Sequence, residues 1–489
     1  MNIHVHVLVI FLLLTPLTLN CKILEVGVGK QYQSFQPAIS AAVAGDTILI
    51  REGVYSGNSY RENLKGTPNN WVTILAAPKE NVLFKGGGAA FYLVDVEYIR
   101  IDGLQFEDQT GNSISIDDGG SYDTPTHNIV IQNCTWISMN APPGSNMIKM
   151  AGVDSFAIKN CTFLNGPTNG IGIDLVGCHY GVIEDNYFDK GGSYAIQAKG
   201  GCNDIDIQRN LFINSSDRTI NVGGNTGTPY FRPLDADYEA KRVNVYANVF
   251  RGSKAPISFA TAIDCEAINN TIINPTNWAF RILQETNDHK FVTCSNNTIQ
   301  NNLIIIPTTG QPAFNIGPNT DAASFTISHN AWFNPNNPQW TPNTPTNENN
   351  RLIVDPEIQD TNGRPELMNI VNFSGKGVPK PTHGINGVTF ESFDGRSIGA
   401  FSQKLHTFVF DATIDKIFAS VSPNPVQNEM RFSGMLEAVE CSIVDVRSHI
   451  VWKGTLTNTT ILSVKDFPIG IYYVISNKNE VLARFVKIQ

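Results

Sequence analysis

The chain has 489 residues, of which 42% are hydrophobic and only 16% are charged, and its formal net charge is −9. Asparagine makes up about a tenth of the chain, so the composition favours strands joined by many turns and disfavours helical bundles and coiled coils. The negative balance argues against a nucleic-acid binder, and it means that an anionic ligand would need a local basic cluster.

The N-terminus predicts an export signal. Val7 to Leu14 is an unbroken apolar run that is too short to span a bilayer, and we interpret residues 1–20 as a signal peptide. A lipid anchor on Cys21 remains open as an alternative. No later stretch reaches spanning length, so we expect no transmembrane helix.

Residues 35–42 have a helical pattern, and beyond them short segments that end in asparagine recur along the chain. The recurring residues are Asn133, Asn160, Asn186, Asn210, Asn248, Asn270, Asn302 and Asn330. Each lies between short runs in which apolar residues alternate, which predicts strands, and a repeat of this kind predicts a β-solenoid. Asparagine tolerates the left-handed conformation of a tight turn, and its amide can bond to the asparagine of the next coil. We therefore interpret the Asn-x-Thr triplets at 133, 160, 269 and 296 as turn residues rather than glycosylation sites, and the cysteines that recur with the repeat as buried fillers rather than bridges.

One strand of each coil is expected to carry an outward polar column. Alternation places apolar residues of this strand in the core, namely Ile173, Ile196, Ile220, Ile257 and Phe280. The residues that follow them point outward, namely Asp174, Gln197, Asn221, Ser258 and Arg281. Lys199 lies two residues further on the same face, and Arg218 lies at the start of its strand. A polar column is expected of any solenoid, but this one gathers cations in an acidic chain.

The longest insertion of the repeat follows this same sheet and contains Arg232, Asp237 and Glu239. Long loops on a rigid solenoid often carry function. We therefore predict a site whose members are Lys199, Arg218, Asn221, Arg232, Glu239 and Arg281, with Gln197 and Glu285 as further substrate-binding residues.

Two segments carry a family resemblance. The opening Ala38-Ile39, Ala41-Ala42, Gly45-Asp46-Thr47-Ile48 and Gly53-Val54-Tyr55, together with the closing segment Asp394 to Phe401, resembles right-handed parallel β-helix proteins of the pectin-lyase-like superfamily. The branch of chondroitinase B and related alginate lyases is the most similar. The resemblance covers residues 22–403, and it implies an all-β, three-sheet solenoid with an N-terminal capping helix and a polysaccharide substrate.

The same resemblance implies β-elimination on a uronic-acid polysaccharide, with Lys199 as the base and Arg218 as the acid. Arginine also suits neutralisation of the sugar carboxylate. Gly200 follows the lysine where the family has serine, and the family's calcium ligands have no clear match. Asn221, Asp237 and Glu239 are the candidates for calcium, and no other cofactor is predicted.

Two other functions stay open. A glycoside hydrolase needs two facing carboxylates, and the acids available are Asp174, Asp237, Glu239 and Glu285. A carbohydrate-binding or adhesive surface protein needs aromatic side chains along its outer face. Tyr194, Tyr230, Phe231 and Trp278 lie near the column in the sequence.

The C-terminal region has a different pattern. Ser422-Pro423-Asn424-Pro425, Gly470-Ile471-Tyr472-Tyr473 and Phe485-Val486-Lys487 resemble the sorting domain of the Bacteroidetes type IX secretion system. The resemblance implies a small β-sandwich at 416–489, joined by a linker at 404–415, and the type IX machinery as a partner. We therefore expect a secreted or cell-surface protein, exported across the inner membrane by the signal peptide, and we expect a monomer.

Overall fold

The computed structural model describes residues 21–489 except for residues 122, 309, 338, 349–351, 354–355, 357, 362–363, 368–374, 391, 395, 403–419, 424–425, 434–437, 446–449, 469, 478–480 and 488–489. The chain divides into two compact units, Met1–Gln403 and Lys404–Gln489. The predicted signal peptide and linker lie outside the described residues. Among those that are described, no helix is long and apolar enough to cross a membrane.

The first unit is a parallel β-helix whose coils contribute strands to three parallel sheets, as predicted. Sheet A contains Ile23–Val26, Thr47–Ile50, Val72–Ala76, Glu97–Asp102, Thr126–Gln132, Val153–Lys159, His179–Glu184, Cys202–Gln208, Ala240–Tyr246, Ala262–Ile263, Glu266–Ile268, Thr298–Gln300 and Thr326–Ser328. Sheet B contains Gly53–Ser56, Val82–Lys85, Gln105–Gln109, Thr135–Met139, Thr162–Leu164, Tyr187–Asp189, Leu211–Ile213, Val249–Arg251, Thr271–Ile273, Leu303–Ile305, Ala331–Phe333 and Leu352–Ile353. Sheet C contains Ser59–Glu62, Phe91–Val94, Ile114–Asp117, Asn146–Ala151, Ile171–Val176, Tyr194–Lys199, Arg218–Gly223, Ala255–Ala260, Phe280–Leu283 and Phe314–Ile316.

The helix Phe35–Ala41 covers the N-terminal end of the solenoid, as the resemblance implied. Phe35, Ala38 and Ile39 are buried against the first coils, and Phe35 contacts the rings of Phe84 and Phe91. Gln36 pairs with the first strand of sheet C by accepting from the backbone N–H of Tyr60 at 2.8 Å and donating to its carbonyl at 3.0 Å. The helix therefore closes the core and also satisfies part of a strand edge.

Identical positions of successive coils stack in the core. The aromatic residues that sheet B points inward form a continuous column of Phe84, Phe106, Trp136, Phe163, Phe188, Phe212 and Phe250. The centroids of Phe163 and Phe188 are 4.4 Å apart, with ring planes within 6° of parallel. Cys134, Cys161, Cys178 and Cys202 are buried, as expected of fillers, and so are Cys265 and Cys294.

An asparagine ladder runs along the turn between sheets A and B. The side-chain amide of each member donates to the side-chain oxygen of the next at 2.9–3.2 Å, through Asn186, Asn210, Asn248, Asn270, Asn302 and Asn330. Asn330 closes the ladder by donating to Glu348 at 2.8 Å. All six asparagines are buried.

Two details of the predicted ladder were wrong. The left-handed residue is the one before each ladder asparagine, as at Asp185 with φ of 57° and Arg209 with φ of 54°. Asn133 and Asn160 occupy that left-handed position, and the residues that follow them, Cys134 and Cys161, take the ladder position. The asparagine of the sequence repeat is therefore one residue before the ladder position in these two coils, where it is exposed and the cysteine that follows it is buried.

The closing segment folds back onto the solenoid. Arg396 is buried, donates to the side chain of Asn269 at 2.7 Å and stacks on Phe390 at 4.3 Å. Asn269 in turn donates to the carbonyl of Ser397 at 2.7 Å. The amide of this sequon residue is therefore committed to structure. A hairpin of Ile358–Thr361 and Arg364–Leu367 precedes this segment.

The second unit has two antiparallel sheets around one core, as expected of a small β-sandwich. The first sheet contains Ser420–Ser422, Glu429–Ser433 and Ile461–Ser463, and the second contains Val439–Asp445, Ile450–Leu456, Gly470–Ser476 and Val481–Lys487. Met430 and Phe432 from the first sheet pack with Ile443, Val474 and Phe485 from the second.

Candidate functional site

The predicted polar column of sheet C is in register. Asp174 is paired with Gln197, Gln197 with Asn221, Asn221 with Ser258, and Ser258 with Arg281. The inward residues Ile173, Ile196, Ile220, Ile257 and Phe280 are all fully buried. The register also extends the column at both ends, with Tyr60, Tyr92, Ser115 and Lys149 before Asp174 and with Asn315 after Arg281.

The centre of this column lies below the surface. Asp174, Gln197, Asn221 and Ser258 are buried although they point away from the core. Asp174 is paired with Lys149, so these two charges neutralise each other. The Ser258 hydroxyl has no hydrogen-bond partner among the described residues. The centre of the column is therefore a recessed polar floor rather than the solvated surface of an ordinary solenoid.

Arg218 is the most connected cation of this floor. Its guanidinium donates to Oδ1 of Asn221 at 3.1 Å, lies 2.6 Å from the Glu285 carboxylate, and stacks over the ring of Tyr194 at 5.6 Å. Burial alone would lower the pKa of Arg218, but the hydrogen bond and charge of Glu285 outweigh it and raise this pKa. Burial raises the pKa of Tyr194, and the charge of Arg218 opposes that change only in part.

Lys199 lies beside the same floor, where the backbone of Gly224 packs closely against its side chain. A β-carbon on Gly224 would lie 2.6 Å from Nε2 of Gln197, 3.4 Å from Cδ of Lys199 and 3.6 Å from Nδ2 of Asn221. Only glycine allows the backbone to come this close. The Lys199 amine has no ion-pair partner among the described residues, and its side chain is partly exposed. Lys199, Gln197 and Asn221 thus lie side by side, and Asn221 links them to Arg218.

Arg281 continues the floor two coils beyond Asn221, past the strand of Ser258. It donates to Asn315 at 2.9 Å and stacks on Trp278 at 5.1 Å. Burial lowers the pKa of Arg281, and the positive charge of Arg218 lowers it further. Arg218 and Arg281 are therefore close enough to repel each other, and an anion bound between them would relieve this repulsion.

Arg232 and Glu239 are not part of this floor, so their prediction as substrate-binding residues needs correction. Arg232 forms a two-point ion pair with buried Asp118, at 2.5 and 2.7 Å. Glu239 is fully buried. Its carboxylate accepts from the backbone N–H groups of Gly200 and Thr226 at 2.7 Å and from the hydroxyl of Thr286 at 2.6 Å. Both residues anchor the inserted loop, because their charges need partners once the loop covers them.

The three calcium candidates do not form a cation site. Glu239 faces hydrogen-bond donors, Asn221 Oδ1 accepts from Arg218, and Asp237 is on the exposed side of the loop. Among the residues with described side chains, no group of three acidic, histidine or cysteine residues could hold a metal ion. The donor set of Asn221, Asp237 and Glu239 therefore does not fit a calcium site.

Sequence reasoning missed several residues of this region. Lys149, Asn315, Tyr60 and Tyr92 belong to the same column, and the alternation of their own strands was the signal that could have found them. Of the aromatic residues noted near the column, Tyr194 and Trp278 contact its arginines. In the inserted loop, Phe231 is buried and packs against Phe291 of a later loop, whereas Tyr230 is exposed.

Comparison with known proteins agrees with the fold. Residues 69–233 match the family model described as a right handed beta helix region. No curated protein matches the chain.

Three solved structures illustrate the range of similar proteins. An alginate lyase from Paenibacillus sp. is 15% identical, with 61% of this chain and 96% of that chain covered and a TM-score of 0.37. An exopolygalacturonase from Thermotoga maritima is 12% identical, with 65% and 87% covered and a TM-score of 0.45. PfbA, a surface adhesin of Streptococcus pneumoniae, is 13% identical, with 68% and 93% covered and a TM-score of 0.39. These likenesses are too distant to carry an argument about activity, and the chain is similar to right-handed β-helix proteins in its fold.

Proposed function

We propose that the protein is a polysaccharide lyase that cleaves a uronic-acid-containing chain by β-elimination. The observation that carries the proposal is the recessed floor in which Lys199 lies beside Asn221 and Gln197, on the same sheet as Arg218 and, two coils beyond it, Arg281. A partly exposed amine that shares this floor with two arginines matches the needs of this reaction, because it requires both a neutralised carboxylate and a base.

The arginines would hold the uronate carboxylate. Neutralising that group makes the proton on the adjacent ring carbon more acidic, because negative charge develops towards the carboxylate when the proton leaves. Arg218 and Arg281 present planar guanidinium groups suited to this task, and Asn221 and Glu285 fix the position of Arg218.

Lys199 in its uncharged form would take the proton from C5 of the uronate. The electrons of the C5–H bond form the C4–C5 double bond, and the C4–O bond breaks. The leaving oxygen then receives a proton from the ammonium group of Lys199. We assign this step to Lys199 rather than to Arg218, which the resemblance had implied as the acid, because the Arg218 guanidinium is held by Glu285 at 2.6 Å and by Asn221 at 3.1 Å.

The positions of the acidic residues disfavour a glycoside hydrolase. Asp174 is paired with Lys149, Glu285 with Arg218, and Glu239 is enclosed by hydrogen-bond donors. Asp237 is exposed on the inserted loop. These four acids therefore do not offer the two facing carboxylates that hydrolysis needs.

The test is ultraviolet absorbance of unsaturated products, measured with alginate, polygalacturonate, chondroitin sulfate and glucuronan as substrates. We expect absorbance to increase with at least one of them and to stay flat with the Lys199→Ala variant. New reducing ends without ultraviolet absorbance would indicate a hydrolase. Binding without either signal would indicate an adhesive or carrier protein.

We also propose that the second unit directs export through type IX secretion and that the protein acts outside the cell or at its surface. The separate core of that unit supports this proposal, since the sheets around Phe432 and Phe485 are those of a module with its own interior. Deletion of residues 471–489 should leave the protein in the periplasm of a type IX-competent host. Normal surface delivery of the truncated chain would contradict the assignment.

A further inference from the structure

The N-terminal end of the sheet C column carries two exposed tyrosines. Tyr60 and Tyr92 are paired in register, with 46% and 40% of their surfaces exposed. Their ring centroids are 5.6 Å apart, and the planes meet at 68°, so together they form an open aromatic corner. Tyrosines of the core have no such exposure, as the buried ring of Tyr55 shows.

This aromatic corner is surrounded by carboxylates. The hydroxyl of Tyr60 donates to Glu62 at 3.0 Å, and this bond, with the charges of Asp117 and Asp95, raises the pKa of Tyr60. Burial, together with a hydrogen bond to Asp117, raises the pKa of Tyr92 to about 12. The corner therefore offers ring faces and hydrogen-bond acceptors, and its local charge is negative.

The corner is held rigidly. The capping helix binds the backbone of Tyr60 through both polar atoms of Gln36. The Tyr92 strand is held on both sides by the strands of Tyr60 and Ser115. With the backbone held and the two hydroxyls bonded to Glu62 and Asp117, the rings have little conformational freedom to lose when a ligand packs on them.

The chemistry of this corner fits a neutral sugar. The apolar face of a pyranose packs on an aromatic ring, and its hydroxyl groups donate to carboxylates. A uronate would be repelled by Glu62, Asp95 and Asp117, whereas at the other end of the column it would meet Arg218 and Arg281. The two ends thus favour different sugars.

We propose that Tyr60 and Tyr92 form a binding subsite for neutral sugar residues of a mixed polysaccharide whose uronate is bound at Lys199 and Arg218. The inference rests on the proposed function for the uronate end only. Five strand steps separate Tyr92 from Asn221 along the column. At about 4.8 Å per step this distance is about 24 Å, so one extended chain could reach both ends. The neutral Lys149–Asp174 pair lies between them.

The experiment is affinity electrophoresis of the folded protein in native gels that contain a single polysaccharide. The probes are the neutral polymers xylan, galactan, mannan and β-glucan and the uronates alginate and polygalacturonate. The variants are Tyr92→Ala and Tyr60→Ala, and the control is Tyr180→Ala, which removes a tyrosine that is 61% exposed on sheet A. Circular dichroism checks that each variant is folded.

We expect at least one neutral polymer to retard the wild type, and we expect Tyr92→Ala and Tyr60→Ala to weaken that binding by about tenfold. Tyr180→Ala should bind as the wild type does. The inference is overturned if no neutral polymer retards the protein, if the two tyrosine variants bind neutral polymers unchanged, or if Tyr180→Ala weakens binding equally. Retardation is read without turnover, so a negative result here leaves the lyase proposal standing. Failure to release unsaturated products would leave this binding result intact.

Discussion

The two ends of the sheet C column share the same backbone arrangement but differ in exposure, charge and aromatic content. At the N-terminal end, exposed Tyr60 and Tyr92 lie among carboxylates, whereas at the C-terminal end Arg218 and Arg281 lie in a recessed floor beside a covering loop. Both ends use the same outward position of the same sheet. The core fixes only the inward residue of each strand, so the outward residue is free to change from coil to coil.

The coils at the two ends of the column also differ in how the turns between sheets A and B are stabilised. From Asn186 to Asn330 the turn position carries the amide ladder, and in the coils before it Cys134 and Cys161 occupy that position. The basic floor therefore lies on the part of the solenoid whose turns are tied together by side-chain hydrogen bonds. The predictions below test whether these differences have the consequences expected of them.

The largest expected effect comes from removing the free amine of the basic end. Lys199→Ala should lower kcat by about a hundredfold to ten-thousandfold, which is the usual contribution of a general base. The fold should be unchanged, because the Lys199 side chain has no ion-pair partner among the described residues. The control is Lys159→Ala, a lysine on sheet A, and rates are read from the ultraviolet absorbance of products. Equal activity of the two variants would mean that Lys199 is not the base.

The next effect concerns the carboxylate clamp. Arg281→Ala should raise KM by about tenfold to a hundredfold, because hydrogen bonds between charged groups contribute about 1.5–3 kcal/mol.

Added salt should weaken binding of the uronate at this end and leave binding of neutral polymers at the tyrosine end unchanged, since only the first is an attraction between charges. If added salt weakened binding of a neutral polymer as much as binding of the uronate, the distinction between the two ends would be contradicted.

Breaking the ladder should affect stability rather than catalysis. Asn210→Ala removes the oxygen that accepts from the backbone N–H and the side-chain amide of Asn186, and it should lower the free energy of unfolding by about 1–3 kcal/mol. Asn336→Ala is the control, because Asn336 is exposed and lies outside the ladder. Thermal unfolding followed by circular dichroism gives the comparison. Equal losses in both variants would mean that the ladder adds nothing beyond an ordinary surface asparagine.

The smallest expected effect is a pH dependence of the inserted loop. His179 lies between Asp154, at 2.9 Å from Nδ1, and the carbonyl of Arg232, at 3.1 Å from Nε2. Burial alone would lower the pKa of His179, but the hydrogen bond and charge of Asp154 outweigh it and raise this pKa. The folded state therefore gains stability below the ordinary pKa of histidine, and this gain is lost as pH rises through the raised value.

The measurement is the rate of proteolysis within residues 224–239 at several pH values. Cleavage should become faster as the pH rises above about 6.5, the ordinary pKa of histidine, and His179→Gln should remove this dependence. Cleavage at a constant rate in the wild type would show that the protonation of His179 does not hold the loop.

Sequence alternation determined the frame of the site. A period of two in each strand fixed which residues point outward, so the placement of Gln197, Asn221 and Arg281 in one column could be derived before any coordinates. Stacking of equivalent positions, such as Asn210 and Asn248, also follows from the repeat. Strand alternation is a local property and coil stacking is a periodic one, so both can be derived from one amino-acid sequence.

Only the tertiary structure decided what the outward charges do. Arg232 was expected beside the column, but it pairs with Asp118, which is 114 positions away in the chain. Glu239 was expected to meet substrate or calcium, but it is enclosed by Gly200, Thr226 and Thr286. A buried charge takes whichever partner the folded chain brings within hydrogen-bond distance, and that partner depends on where a long loop is packed rather than on sequence spacing.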